Sequence, residues 1–99
     1  MVRFVWEFLA RPDRLREFES HYAGTGPWAE LFARNPGYRG TLLLRDAENS
    51  RRFLTIDSWD NASAYRAMLQ RFAAEHDELD RRCQAFTESE RRIGAFEET

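Results

Sequence analysis

YRGTLLLRDAENSRRFLTIDSWDNASAYRAMLQRF, residues 38–72, contains two strand-like runs, a turn between them and the opening of an amphipathic helix. Tyr38 to Arg45 and Arg52 to Ser58 are rich in Leu, Thr, Ile and Phe, side chains that suit a pleated, half-buried surface. Asp46-Ala47-Glu48-Asn49-Ser50 between them is turn chemistry, so the pair reads as a hairpin with a moderately long loop. Asp60 is a suitable N-cap for a helix starting just after it. From there Ala62, Tyr65, Leu69, Phe72, His76, Leu79, Cys83 and Phe86 recur at three- and four-residue steps, the apolar stripe of one helical face. Taken as unbroken, about 25 residues would run roughly 37 Å, whereas an eight-residue strand covers only about 26 Å. The helix therefore either bends near Gln70-Arg71 or overhangs the sheet.

Toward the N-terminus, Asn35-Pro36-Gly37 stops a short helix that starts at Pro27 and carries Trp28, Leu31 and Phe32. Ala23-Gly24-Thr25-Gly26 separates it from a first helix with Leu15, Phe18 and Tyr22 inward, whose first turn Pro12 suits. Residues 2–9 alternate as a strand, with Val2, Phe4, Trp6 and Phe8 on one face and Arg3, Val5, Glu7 and Leu9 on the other. At the far end Thr87-Glu88-Ser89-Glu90 has the form of a capping box, yet Arg92 to Phe96 alternates weakly. A closing strand there completes the order β-α-α-β-β-α-β, the split βαβ or ferredoxin-like plan of an α+β fold with an antiparallel sheet. Residues 1–99 make a single domain, since cores rarely divide in so short a chain.

The helix-covered face is expected to join Val2, Phe4, Trp6 and Phe8 with Leu42, Leu44, Leu54 and Ile56. The opposite face then offers Val5, Leu9, Leu43 and Phe53 among Arg3, Glu7, Thr41, Arg45, Thr55 and Asp57. So much apolar area on a second face needs a cover, and a small domain gains from one. A homodimer through the open sheet face provides it, with Glu7 and Arg45, or Asp57 and Arg3, able to pair. The simpler alternative is an antiparallel sheet with one wet face.

Composition narrows the partners. Aromatic residues make up 14% and charged residues 32% of the chain, a combination that suits segregated amphipathic elements rather than disorder. The net charge of −2, with basic residues paired only at 51–52, 81–82 and 91–92, argues against nucleic acid. All the basic residues are arginine. The lone Cys83 excludes an internal disulfide framework and a cysteine zinc site. MVRFVWEF lacks a basic segment followed by an apolar run, and no stretch approaches membrane-spanning length, so the expected location is the cytoplasm with no membrane partner.

Several segments together resemble the antibiotic-biosynthesis-monooxygenase family of dimeric α+β barrel domains, over essentially the whole chain. They are Val5-Trp6-Glu7-Phe8 followed by Arg11-Pro12, Pro36-Gly37-Tyr38-Arg39-Gly40-Thr41, Leu54-Thr55-Ile56-Asp57-Ser58-Trp59, and Ser63-Ala64-Tyr65. The resemblance implies either a cofactor-free oxygenase acting on small aromatic or polyphenolic molecules, or a non-catalytic binding or structural member of the same fold. It implies no cofactor and no metal. A haem-opening branch would need Asn where Phe8 stands and Trp where Met68 stands; only His76 falls at a matching position, and that activity is rejected.

His76 interrupts the apolar stripe. It is either a general base that strips a phenolic proton, leaving a ring electron-rich enough to reduce dioxygen, or a core histidine satisfied by a hydrogen bond. Trp6, Phe8, Trp28, Phe32, Trp59, Tyr65 and Phe72 are candidates to line a slot for a planar ligand, or they are core. His21 and Tyr22, beside the glycine-flanked gap, are candidates for a pocket mouth; a helix C-terminus with His21 complementing the dipole explains them equally. Cys83 reads as an inert core thiol.

Overall fold

A computed structural model describes residues 1–99. The elements run β1 (Val2–Ala10), α1 (Leu15–Tyr22), α2 (Pro27–Phe32), β2 (Tyr38–Asp46), β3 (Asn49–Trp59), α3 (Ala62–Arg71), α4 (Ala73–Cys83), a single 3₁₀ turn at Gln84–Phe86 and β4 (Thr87–Glu97). The four strands form one antiparallel sheet in the order β2-β3-β1-β4, the ferredoxin-like arrangement, with the helices on one side. The sheet stays open and does not close into a barrel within one chain. One sheet layer and one helix layer account for the shortest dimension of 20 Å.

Local chemistry sets the helix ends. Pro27 occupies the first turn of α2, where its missing N–H costs nothing. Asn35 closes that segment by donating from Nδ2 to the Phe32 carbonyl at 3.1 Å. Asn61, not Asp60, caps α3: its Oδ1 accepts from the Ala64 N–H at 2.8 Å. Asp60 instead takes a two-pronged contact from Arg39, at 2.6 and 2.9 Å. The long apolar stripe is divided at Phe72, whose φ of −118° and ψ of 34° end α3 and begin α4. This break lies one to two residues beyond Gln70-Arg71 and shortens both helices to the span of the sheet. Thr87-Glu88-Ser89-Glu90 is extended as the start of β4 rather than a helix cap, because pairing with β1 satisfies its backbone along Phe8, Leu9 and Ala10.

Strand register corrects the expected sheet faces. Trp6 lies opposite Thr55, Phe4 opposite Asp57 and Phe8 opposite Phe53; Thr41 lies opposite Asp57 and Leu43 opposite Thr55. The helix-covered face therefore carries Thr41, Leu43, Phe53, Thr55, Asp57 and Trp59 beside β1. Leu42, Leu44, Leu54 and Ile56 belong to the open face with Val5 and Leu9. The expectation matched apolar residues to apolar residues, and both faces of β2 and β3 are apolar enough to satisfy that rule. The covered side is largely aromatic: Phe8, Phe18, Phe53 and Trp59 are all at most 4% exposed. They pack in tilted and edge-on pairs such as Phe18–Phe53 at 4.8 Å and Phe32–Trp59 at 5.6 Å.

The open face is aliphatic in its centre, with Leu42 at 60% and Phe96 at 51% exposure. One end carries charge: Glu7 accepts from Arg52 Nε at 2.7 Å and Arg91 Nε at 3.1 Å, and Arg52 also reaches Asp46. Within the chain Arg3 pairs with Glu98 and Arg45 with Glu19, and the register puts Arg45 and Asp57 on the helix-covered face rather than the open face where they were expected.

The turn before β2 presses on the start of α3. A Cβ built at Gly37 would sit 2.5 Å from Ala64 Cβ, so only glycine lets the turn approach this closely. Gly37→Ala is expected to destabilise the fold by about 1–3 kcal/mol. Adding Ala64→Gly should recover part of that loss despite its own helix penalty, and urea unfolding of the single and double variants measures the coupling. Strictly additive losses would contradict the contact.

Candidate active site

Thr41, Thr55 and Asp57 occupy the middle of the helix-covered face, where larger apolar side chains would fill the space beneath the helices. These smaller polar side chains, with the break between α3 and α4, leave a cavity of about 350 Å³ between the layers. Trp6 and Phe8 of β1 form its floor with Thr41, Thr55 and Asp57; Tyr22, Trp28 and Phe32 come from α1 and α2; Tyr65 and Leu69 come from α3. His76 and Asp80, one turn apart on α4, and Glu90 of β4 complete the wall. Large aromatic surfaces surround a few polar groups, the usual make-up of a small-molecule site.

Asp57 is the most perturbed of the carboxyl groups there. Thr41 Oγ1 donates to Asp57 Oδ1 at 2.5 Å, and the Tyr38 hydroxyl lies 2.6 Å from the same Thr41 oxygen. A carboxylate only accepts, so Thr41 must donate to it and Tyr38 must donate to Thr41. The relay ends on Oδ1, and no protein group donates to Oδ2. Burial pushes the Asp57 carboxyl up to about 6, with the Thr41 hydrogen bond opposing it. Burial, and then the charge of Asp80, also raises the Glu90 carboxyl. The Tyr65 hydroxyl is raised by burial first and by Asp57 second, while Arg92 acts in the opposite direction.

His76 is partly exposed, with its side chain at 27%. Its ring meets Trp28 edge-on at a centroid distance of 5.2 Å. Asp77 Oδ1 lies 3.3 Å from Nδ1, a contact that favours the proton on Nδ1 and leaves Nε2 as the accepting nitrogen of the neutral ring. Trp28 is 8% exposed, and its indole N–H has no hydrogen-bond partner; Tyr22 and Cys83 lie alongside without the geometry to accept it. Burial raises the Cys83 thiol, which keeps it protonated and unreactive. No group of three His, Cys, Asp or Glu side chains is arranged to hold a metal ion, and no helix is long and apolar enough to cross a membrane.

Of the side chains singled out from sequence, Trp6, Phe8, Tyr22, Trp28, Phe32, Tyr65 and His76 border the cavity. Trp59 does not. It is fully buried behind the wall, in contact with Phe32, Tyr38 and Tyr65, because the residue that ends β3 on the covered face is sealed by α2 and α3. Phe72 sits at the helix break under the guanidinium groups of Arg34 and Arg71. His21 is outside the cavity: its Nδ1 donates to the Glu17 carbonyl at 2.8 Å and its ring leans on Phe86, which is local helix-end packing. Tyr22 is among the residues that line the cavity and is 8% exposed. Sequence reading missed Thr41, Thr55, Asp57, Leu69, Asp80 and Glu90. Asp80 carried a signal, since it follows His76 by one helical turn; Asp57 and Glu90 required the strand register.

The sequence matches the family model for antibiotic biosynthesis monooxygenase over residues 1–78, and the chain belongs to that family. Among solved structures, SnoaB from Streptomyces nogalater, a cofactor-independent oxygenase, is 29% identical. The match covers 99% of this chain and 92% of that one with a TM-score of 0.73. A Bordetella bronchiseptica protein named for the same family is 20% identical over 99% of this chain and 96% of its own, with a TM-score of 0.79. A conserved protein from Methanosarcina mazei is 11% identical over 99% and 92%, with a TM-score of 0.75. The last two share the fold. No curated protein sequence matches the chain.

The raised Asp57 carboxyl has a stability consequence. Between its ordinary value of 3.8 and about 6, the folded chain holds a proton that the unfolded chain has released. Stability therefore falls as pH rises through that window, by about 3 kcal/mol at most once Asp57 is ionised. Asp57→Asn keeps an acceptor for Thr41 and removes the buried charge. Near neutral pH it is expected to raise the thermal midpoint by on the order of 5 °C or more. A lower midpoint, read by circular dichroism, would show that the carboxylate stabilises the fold.

Proposed function

We propose that this protein is a cofactor-independent monooxygenase acting on a small aromatic or polyphenolic substrate held between sheet and helices. The observation that carries the reading is the cavity itself: about 350 Å³, walled by Trp6, Phe8, Trp28, Phe32 and Tyr65, with the proton acceptors His76 and Asp57 on its lining. Its likeness to SnoaB, 29% identical over 99% of this chain, supports the same class of reaction.

In this scheme Nε2 of His76 takes a proton from a phenol or from the methylene of its anthrone-like keto form. The resulting carbanion passes an electron to dioxygen and recombines with superoxide as a peroxide at the same carbon. Collapse of the peroxide cleaves the O–O bond and gives a quinone. One oxygen atom stays on the ring, and the other leaves as water with the two hydrogens of the original methylene. The substrate supplies every electron, so the chemistry asks nothing of a flavin or a metal. Trp28 and Tyr65 set the plane of the ring, and Trp59 supports them from behind. His21 and Phe72 lie outside the cavity lining.

Oxygen uptake with an anthrone-like phenol tests the reading. The wild-type chain should consume one dioxygen per quinone formed, and His76→Ala should lower kcat by about 10²–10⁴-fold with much smaller change in binding. Saturable binding without uptake in the wild type would assign the cavity to a non-catalytic binding domain instead.

The partner in this proposal is a second copy of the chain. Val5, Leu42, Leu44, Leu54 and Ile56 give the open face an aliphatic centre that water covers poorly. Sheet-to-sheet packing of two copies would bury it and complete a barrel between them. Sedimentation should give twice the chain mass at micromolar concentration, and Leu42→Glu with Leu44→Glu should shift the species to monomer. A wild-type monomer under those conditions would sink the dimer.

A further inference from the structure

The thirteen residues around the cavity include three carboxylates, Asp57, Asp80 and Glu90, and no arginine. Arginine nevertheless supplies all 15 basic residues of the chain. The arginines are held elsewhere: Arg52 and Arg91 on Glu7, Arg39 on Asp60 and Arg45 on Glu19. Arg92, exposed on β4, is close enough to act on the Tyr65 hydroxyl but does not border the cavity. His76 is the one side chain on the wall able to carry positive charge. The other polar groups on the wall are neutral, among them the hydroxyls of Thr41, Thr55, Tyr22 and Tyr65 and the Trp28 indole N–H, so no fixed positive charge offsets a negative charge brought inside.

We propose that the cavity selects aromatic ligands that are neutral hydrogen-bond donors or cations and turns away aromatic carboxylates, with Asp57 reading the donor. The inference rests on the cavity being the substrate site and adds its charge preference. Tyr38 and Thr41 fix Asp57 Oδ1 through the hydrogen-bond relay, which holds the carboxylate plane in place. Oδ2 is left for the ligand: a phenolic O–H or an ammonium N–H completes it, whereas a ligand carboxylate meets it as a like charge with no proton to share. Asp80 and Glu90 extend the same preference along the wall that β4 and α4 share. Polyphenols and amino-aromatics satisfy these groups, and ring acids of equal size do not.

Naphthol, naphthylmethylamine and naphthoate share one ring system and differ in the charge they present. Their affinities for the full chain, measured by quenching of tryptophan fluorescence near neutral pH, test the inference. Naphthoate is expected to bind at least about tenfold more weakly than naphthol, with the amine as tight as naphthol or tighter. In Asp57→Asn the gap between naphthol and naphthoate should narrow to about threefold or less. Glu90→Gln, on an exposed strand, should narrow it to a smaller degree and keeps the test available should the Asp57 variant fold poorly. Equal affinities for naphthol and naphthoate in the wild type would overturn the charge preference and leave the cavity reading standing. A gap unchanged in Asp57→Asn would mean that Asp57 does not read the donor. Binding by none of the three, with the chain folded by circular dichroism, would overturn the cavity reading and this inference together.

Discussion

The register of β1 against β3 is the constraint on which the rest of the molecule depends. Trp6 faces Thr55 and Phe4 faces Asp57, so polar residues of β3 lie under the helices and its aliphatic ones, Leu54 and Ile56, lie on the open side. Side-chain direction alternates with a period of two, and a slip of one residue would exchange the two sets across the sheet. The hollow would then be filled with leucine and isoleucine, and the carboxylate of Asp57 would stand in water. Phe53 in the middle of β3 and Trp59 at its end hold the register, each a large ring that finds room only among the helix aromatics.

A cavity in so small a domain costs packing, and its surroundings show how the loss is contained. Thr41, Thr55 and Asp57 give up dispersion contacts that bulkier residues would make. Around them Phe4–Tyr65, Tyr65–Trp59, Trp59–Phe32, Phe32–Trp28 and Trp28–His76, with Tyr22 beside Trp28, form a chain of aromatic contacts that reaches every helix. Rings have few rotamers and large faces, so they hold an opening rigidly where aliphatic chains would collapse into it. Site and core are thus continuous. Trp59 stiffens the wall from behind, and Tyr65 is wall on one side and core on the other.

Much of this was legible in the linear sequence. Alternation along residues 2–9, the hairpin over 38–59 and the stripe from Ala62 to Phe86 fix the element order without reference to coordinates, and Pro27 and Asn35-Pro36-Gly37 mark the short second helix. The resemblance carried by the 36–41 and 54–65 segments pointed to the right family. Pairing register was not legible, because Leu42, Leu43, Leu44, Phe53, Leu54 and Ile56 present apolar side chains to both faces. That ambiguity hid Asp57, while Glu90 was hidden because Thr87-Glu88-Ser89-Glu90 reads equally well as a helix cap. Trp59 and Phe72 lie off the cavity lining for the opposite reason: periodicity marks a residue as inward and says nothing of whether it meets a cavity or another side chain.

Both rims of the sheet are charged. β4 runs along one rim as Glu88, Ser89, Glu90, Arg91 and Arg92, and β2 brings Arg39 and Arg45 to the other. Charged rims discourage one sheet from adding another strand-to-strand, the route by which flat greasy sheets grow into ribbons. Lateral growth is thus opposed, and the apolar area the sheet still exposes is confined to its broad surface, around Leu42, Leu44 and Phe96.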